Sequence, residues 1–554
     1  MKGLMFNSLG QKEEAYELAR LGLKKDLKSH VCWHVLGLLY RSDRNYPEAT
    51  KCYKSALRMD PGNAQIMRDL SLLQLHVRDL AGYTESRRQL LASKPGFKQN
   101  WLSFAVAEHM RGAPLAALQV LEKMENSFAG QEEPLGRYEA SEMLLYKAML
   151  CTEAGRKDLA ISILSSQGIV DTVARDEMLA YLLYSQGNME ICKKAIIHLL
   201  RTNSSHEGYL LTALAASGVL TPSPSADQVK IWLRLEDSGY TISKQWPTDP
   251  SPPFEVKSAL PLKELMGALL KFKEEFLGVH AKSEHFDEIG LTLMPADSEE
   301  FKKIMEAFIV TKLAKGVPST FKKLRKFYKD EAKKTFIKNL LVELSDKKSL
   351  ADESPVIQTF ALMSLAAHHD FVGEHDLALA RIEQALTLTP TLIDLLVLKA
   401  KVLKHKGDLK TSSAVWEEAR EMDLADRYLN SKSVKALLRI GEIDKAKETI
   451  ALFSKDTADS SKSNLGEMQC MWWEFELGKA LLAKGDVEGA RTTWKGTLKH
   501  YEDMAEDEFD FAFYCLRKMT LRAYIDFLRL QDKLRTHKFY KRAQEAIASL
   551  VAEA

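Results

Sequence analysis

Eight residues at fixed spacing constrain this chain more than any other feature: Trp33, Leu36, Gly37, Tyr40, Ala49, Tyr53, Ala56 and Pro61. The spacing predicts an aromatic, a Leu-Gly pair and a tyrosine on a first helix. A small residue then falls where a second helix crosses it, and a proline stops that second helix. Residues 30–63 thus form one helix–turn–helix unit of 34 residues, which cannot bury its apolar face alone and must stack on copies of itself. Gly37 and Ala49 are expected where two backbones approach too closely for a larger side chain.

The phase of this unit propagates. One period upstream, Gly3, Phe6 and Ala15 fall under Gly37, Tyr40 and Ala49, so the first residues read as the inside of an earlier unit. Pro95 falls under Pro61, Trp101 opens the next unit, and weaker copies follow at Ala148/Gly155/Ala160 and Ala180/Gly187. The signal returns at Ala366, Gly373, Ala378, Ala385 and Pro390, at Ala400, Gly407 and Ala419, at Gly441 and Ala446, and at Gly478, Gly485 and Ala490. Glycine before the second helix suits the tight turn there. The period and its residues match the tetratricopeptide signature. The expected fold is therefore all-α: a tetratricopeptide-type α-solenoid, a superhelix of antiparallel helix pairs with a concave groove lined by first helices.

Residues 1–217 read as N-terminal repeats. Residues 218–297 read as an irregular Pro/Ser-rich divergent segment, because TPSPSAD and PTDPSPP cannot continue helices. A basic helical segment is expected over 298–350. Residues 302–338 carry twelve Lys or Arg against three Asp or Glu, a local charge of 12 − 3 = +9. Repeats are expected again over 351–500, then acidic-then-basic terminal helices over 501–554.

Whole-chain composition excludes more than it selects. A net charge of +2 leaves any nucleic-acid or ribosome affinity to local patches. Six scattered cysteines without a CxxC pair read as reduced core thiols of a cytoplasmic protein. With neither a charged-then-apolar leader nor a run of 18 apolar residues, secretion and membrane spanning are disfavoured. Walker, GxSxG, HExxH and GxGxxG motifs are all missing. Adjacent His368 and His369 diverge by about 100° on a helix, and His30/His34 lies inside the matched repeat, so structural roles are expected for both pairs. No residue argues for catalysis or a metal.

Several stretches resemble one particular family. QKEEAYELARLGL, the repeat at 30–63, QIMRDLSLLQLHVRDLAGYTESRRQLL, KGVPSTFKKLRKFYKD, NLGEMQCMWWEFELGKA and EDEFDFAFYCLRKMTLRAYIDFLRLQDKLRTHKFYKRA are similar to the large auxiliary subunit of the NatA N-terminal acetyltransferase. The likeness covers most of 1–217 and 295–545. It implies a scaffold with no active site of its own, which wraps a GNAT-fold catalytic acetyltransferase and reshapes that partner's peptide groove. It further implies tethering to the ribosome near nascent chains, with acetyl-CoA bound by the partner alone and no specific DNA or membrane binding. The favoured nascent chains would expose Ser, Ala, Thr, Gly, Val or Cys. The alternative is a general tetratricopeptide adaptor for chaperone or peptide partners, although three adjacent units with a Lys/Asn carboxylate clamp are not evident.

The resemblance also implies inositol hexakisphosphate at the scaffold–catalytic junction. ADRYLNSKSVKALLR fits one wall of such a site. Arg427 begins a helix whose free N–H groups favour anions, and Lys432 and Lys435 lie one turn apart on its flank. An ordinary solvated repeat face is the competing reading. For ribosome or partner contact the candidates are Lys322, Lys323, Arg325 and Lys326 in the first basic stretch, and Lys533 and Arg535 in the second. Phosphate contacts there would weaken steeply with salt. Of Trp472 and Trp473, at least one is expected in the repeat core.

Overall fold

The computed structural model describes residues 2–129, 136–235, 256–277, 283–346, 354–454 and 464–552, and every regular element among them is helical. The matched repeat forms the two expected helices, His30–Ser42 and Tyr46–Met59. Ser29 accepts from the Cys32 N–H at 3.3 Å and Asn45 from the Glu48 N–H at 3.4 Å, so each helix starts with a side chain satisfying a free backbone donor. The second helix stops two residues before Pro61.

At Gly37 and Gly478 the space is taken by a ring rather than by a backbone, whereas a Cβ on Gly3 would lie 3.1 Å from the Ala15 carbonyl oxygen. A Cβ on Gly37 would lie 2.4 Å from Cε1 of the fully buried Tyr53. A Cβ on Gly478 would lie 2.3 Å from the indole nitrogen of Trp494, itself 1% exposed. Gly478→Ala is therefore expected to destabilise the second unit by about 1–3 kcal/mol through overpacking. An unshifted denaturation midpoint would count against that packing.

The turn between paired helices follows the 34-residue period closely. Gly10 (φ 80°), Arg44 (φ 58°), Arg78 (φ 60°) and Gly112 (φ 85°) share one left-handed slot. Two of these four positions hold arginine, which pays about 1 kcal/mol or more there. Both side chains reach the C-terminal helices. Arg44 lies 3.3 Å from Glu506, and Arg78 donates to Glu508 at 2.9 Å, to Asp532 at 2.6 Å and to the Leu528 carbonyl at 3.2 Å.

Residues 1–199 group with Val229–Gly239 and Met504–Asp532 as one unit; a second unit holds most of the remainder. In the first unit, Met504–Asp532 packs on the first helices of successive pairs, His30–Ser42, Ala64–His76, Lys98–Met110 and Arg137–Glu153. Phe509 joins the core of Ala49, Tyr53, Ile66 and Leu73, with Arg41 4.1 Å from its ring centroid. Leu521, Tyr524, Ile525 and Leu528 join the core of Tyr83, Leu102 and Tyr146. Arg522 pairs with Glu142 at 2.8 Å, and Arg529 with Glu153 at 2.8 Å. In these repeats, the face expected to be open for a partner is covered by the chain's own helices.

Burial pushes the Glu153 carboxyl up, but hydrogen bonds from His109 and Arg529 outweigh it and bring its pKa from 4.5 down to about 2. The unfolded chain thus binds this proton more tightly than the folded one. The stabilisation is complete above pH 4.5 and disappears as pH falls toward about 2. Glu153→Gln should flatten the loss of melting temperature across that window; identical acid profiles for both proteins would refute the assignment.

In the second unit, the segment expected to be irregular is partly helical. Leu262–Phe272 continues into the π-helical Lys273–Leu277, and Glu284–Leu293 follows. Leu265, Leu269, Phe272 and Phe276 repeat at helical spacing and are buried, with Phe272 stacked on Phe276 at 4.5 Å and on Phe286 at 5.4 Å. The flanking prolines hid this period; PTDPSPP lies outside the described residues. The boundary expected at residue 501 is absent as well, because Val487–Lys518 is one helix of 32 residues. Helix pairs His375–Leu388 with Pro355–Phe371, Ile393–Lys406 with Leu409–Met422, and Arg427–Arg439 with Ile443–Ala451 realise the later repeats.

A candidate anion site on two first helices

Much of the +9 stretch is neutralised internally. Lys312 and Lys323 pair with Glu284, and Lys326 pairs with Glu288. Lys333 donates to the Leu291 and Thr292 carbonyls at 2.9 and 2.8 Å, at the C-terminal end of Glu284–Leu293, where a cation is favoured. Burial pushes Glu284 up, but Lys312 and Lys323 bring its pKa down to about 2. With side-chain exposures of 7% and 5% in the Lys326–Glu288 pair, Lys326 has no ammonium to offer a ribosome or partner. Lys323 is likewise engaged. Lys322 stays exposed, and Arg325 lies 5.5 Å from the Phe371 ring centroid. Lys533 precedes a short 3₁₀ turn, Leu534–Thr536, and Arg535 lies within it, exposed.

The helix start at Arg427 differs from expectation. Asp426 caps it, accepting from the Tyr428 N–H at 2.6 Å and the Leu429 N–H at 3.4 Å. Those donors, expected to be free for an anion, are already taken. Arg427 itself is exposed, 5.7 Å from the Phe453 ring centroid. Lys432 and Lys435 are half-buried on one flank, 5.2 Å from the Tyr428 ring and 4.2 Å from the Trp472 ring. Trp473, 5% exposed, belongs to the core with Leu437 and Leu438.

Sequence reading passed over a second group of lysines beside these. Ile393–Lys406 carries half-buried Lys401 and Lys404 at the same i,i+3 spacing as Lys432 and Lys435, one helix pair upstream. That repeated spacing was the available signal. Burial lowers the Lys404 pKa, and Arg439 and Lys432 lower it further. Lys435 is lowered by burial and then by Lys432, with Glu476 opposing. Lys401 is lowered by burial, against Asp394 and Asp370. Four ammoniums and the Arg439 guanidinium therefore crowd into a shared field, with Arg439 3.8 Å from Glu476. Such a donor set suits a polyphosphate, whose several charges could face several cations at once.

The remaining candidates for other chemistry have ordinary partners. His34 bonds Asp69 at 2.8 Å, His30 lies 3.8 Å from Asp60, His368 bonds the Tyr328 hydroxyl at 2.8 Å, and His369 bonds Glu374 at 2.6 Å. Among the described residues no group of three His, Cys, Asp or Glu could hold a metal, and the six cysteines are free.

Comparison with known proteins places the fold. The family described as N-terminal acetyltransferase A, auxiliary subunit, matches residues 138–552, and the tetratricopeptide repeat matches 32–65. The chain belongs to the NatA auxiliary-subunit family. The Arabidopsis thaliana "N-terminal acetyltransferase A complex auxiliary subunit NAA15" is 38% identical over 98% of this chain and 57% of its own length. The human "N-alpha-acetyltransferase 16, NatA auxiliary subunit" is 35% identical over 99% of this chain and 59% of its own. This chain thus spans less than two thirds of the length of those curated relatives. It also superposes on a chain of the solved structure of Naa15/Naa10 bound to HypK-THB with a TM-score of 0.82 and 31% identity. That match covers 98% of this chain and 76% of the other. Its all-α tetratricopeptide fold is the fold of that family. No described helix is long and apolar enough to cross a membrane.

Proposed function

We propose that this chain is the non-catalytic scaffold of a cytoplasmic N-terminal acetyltransferase. It would hold a GNAT-fold catalytic subunit, tune that subunit's peptide groove for nascent chains freed of their initiator Met, and tether it to the ribosome. The observation that carries this reading is the TM-score of 0.82 to a chain from the Naa15/Naa10 complex, over 98% of this chain. A scaffold of this kind acts by binding one conformation of its partner in preference to others. Lys401, Lys404, Lys432, Lys435 and Arg439 would hold inositol hexakisphosphate, whose contribution is electrostatic: it cancels the repulsion among these cations. Co-expression with a GNAT-type acetyltransferase should yield a stable complex that acetylates Ser- and Ala-initiated peptides. Recovery of chaperones alone would support the adaptor reading instead. In that complex, Lys432→Ala with Lys435→Ala should weaken hexakisphosphate binding by about 100-fold, two charge-assisted contacts of about 1.5 kcal/mol each; unchanged affinity and melting temperature would remove the site. Ribosome co-sedimentation should fall steeply with salt, and salt-independent pelleting would oppose a phosphate contact.

A further inference from the structure

Lys322 adds a cation outside the two helices that form the candidate anion site. The short helix Thr320–Leu324 rests on the last turn of Pro355–Phe371, with Phe321 6.1 Å from Phe371 and 6.4 Å from His368, ring centre to ring centre. Asp370 on that same turn accepts from His405 at 2.9 Å and lies 3.2 Å from His375. His405 is one turn beyond Lys401. These contacts link Thr320–Leu324, through a single helix turn, to the Lys401 end of the site. The carboxylate there is already engaged by two histidines. Lys322 and Lys401 repel one another, and after burial, Lys322 is the cation that lowers Lys401. Neighbouring Lys323 and Lys326 are held by Glu284 and Glu288, so Lys322 is the exposed ammonium of the short helix Thr320–Leu324.

Building on the polyphosphate reading above, we propose that Lys322 extends the site to accept a polyphosphate bearing a diphosphate arm. An inositol pyrophosphate would then be preferred over the plain hexakisphosphate. The additional terminal phosphate would meet Lys322, while the other phosphates face Lys401, Lys404, Lys432 and Lys435.

Calorimetric titration of the full chain with inositol hexakisphosphate and with diphosphoinositol pentakisphosphate tests this. The diphosphate should bind about fivefold more tightly, the worth of one partly exposed ion pair. Lys322→Gln should erase that preference while leaving hexakisphosphate affinity within about twofold. Equal affinities in the wild type, or a preference that survives Lys322→Gln, would overturn the extension and leave the four-lysine site standing. Binding of neither compound would overturn the polyphosphate reading itself.

Discussion

Replacing Glu288 by alanine is expected to destabilise the second unit by about 3–5 kcal/mol, the cost of stranding a buried ammonium. The Lys326 and Glu288 side chains are 7% and 5% exposed, so little water can replace the lost carboxylate. Lys326→Met combined with Glu288→Leu should recover most of the loss, because an apolar pair of similar volume needs no counter-charge. Urea denaturation of the three proteins measures both effects. A single variant as stable as the wild type would show that the pair is not buried as described.

Phe509→Ala carries the second large effect, about 3–5 kcal/mol in the first unit. Its ring, 8% exposed, sits 4.6 Å from His76 and under the Arg41 guanidinium, within the core of the early repeats. Hydrogen exchange should rise both in 504–518 and in Ala64–His76, since each covers the other. Phe513→Ala is the control: Phe513 is 70% exposed, and its removal should cost no more than about 0.5 kcal/mol. Faster exchange in the terminal helix alone would mean that the repeats do not depend on it.

Local signals made the repeats legible. Gly37, Tyr53 and Pro61 mark one unit because each answers a demand within 34 residues: room for a ring, the ring itself, and a helix stop. Contacts across hundreds of residues leave no such trace. Nothing near Arg78 announces that it meets Glu508 and Asp532, and its left-handed backbone was concealed by an arginine where glycine is usual. The buried helix at 262–277 was obscured by its proline-rich neighbours, although Leu265, Leu269 and Phe272 carried the period. At the candidate anion site, Lys432 and Lys435 were legible through family likeness. Lys401 and Lys404 required the fold to set two helices side by side, and Lys326 was misjudged because charge density in sequence says nothing of pairing.

Closing the first unit with Met504–Asp532 sets a schedule for its birth. At roughly 5–20 residues per second, translation needs about 15–60 s to travel from residue 199 to residue 504. Throughout that interval the early repeats must persist with Tyr83, Tyr146 and Ile66 short of their last apolar neighbours. Maturation of the amino-terminal repeats is thus postponed until synthesis has passed residue 532, long after their own residues have been made.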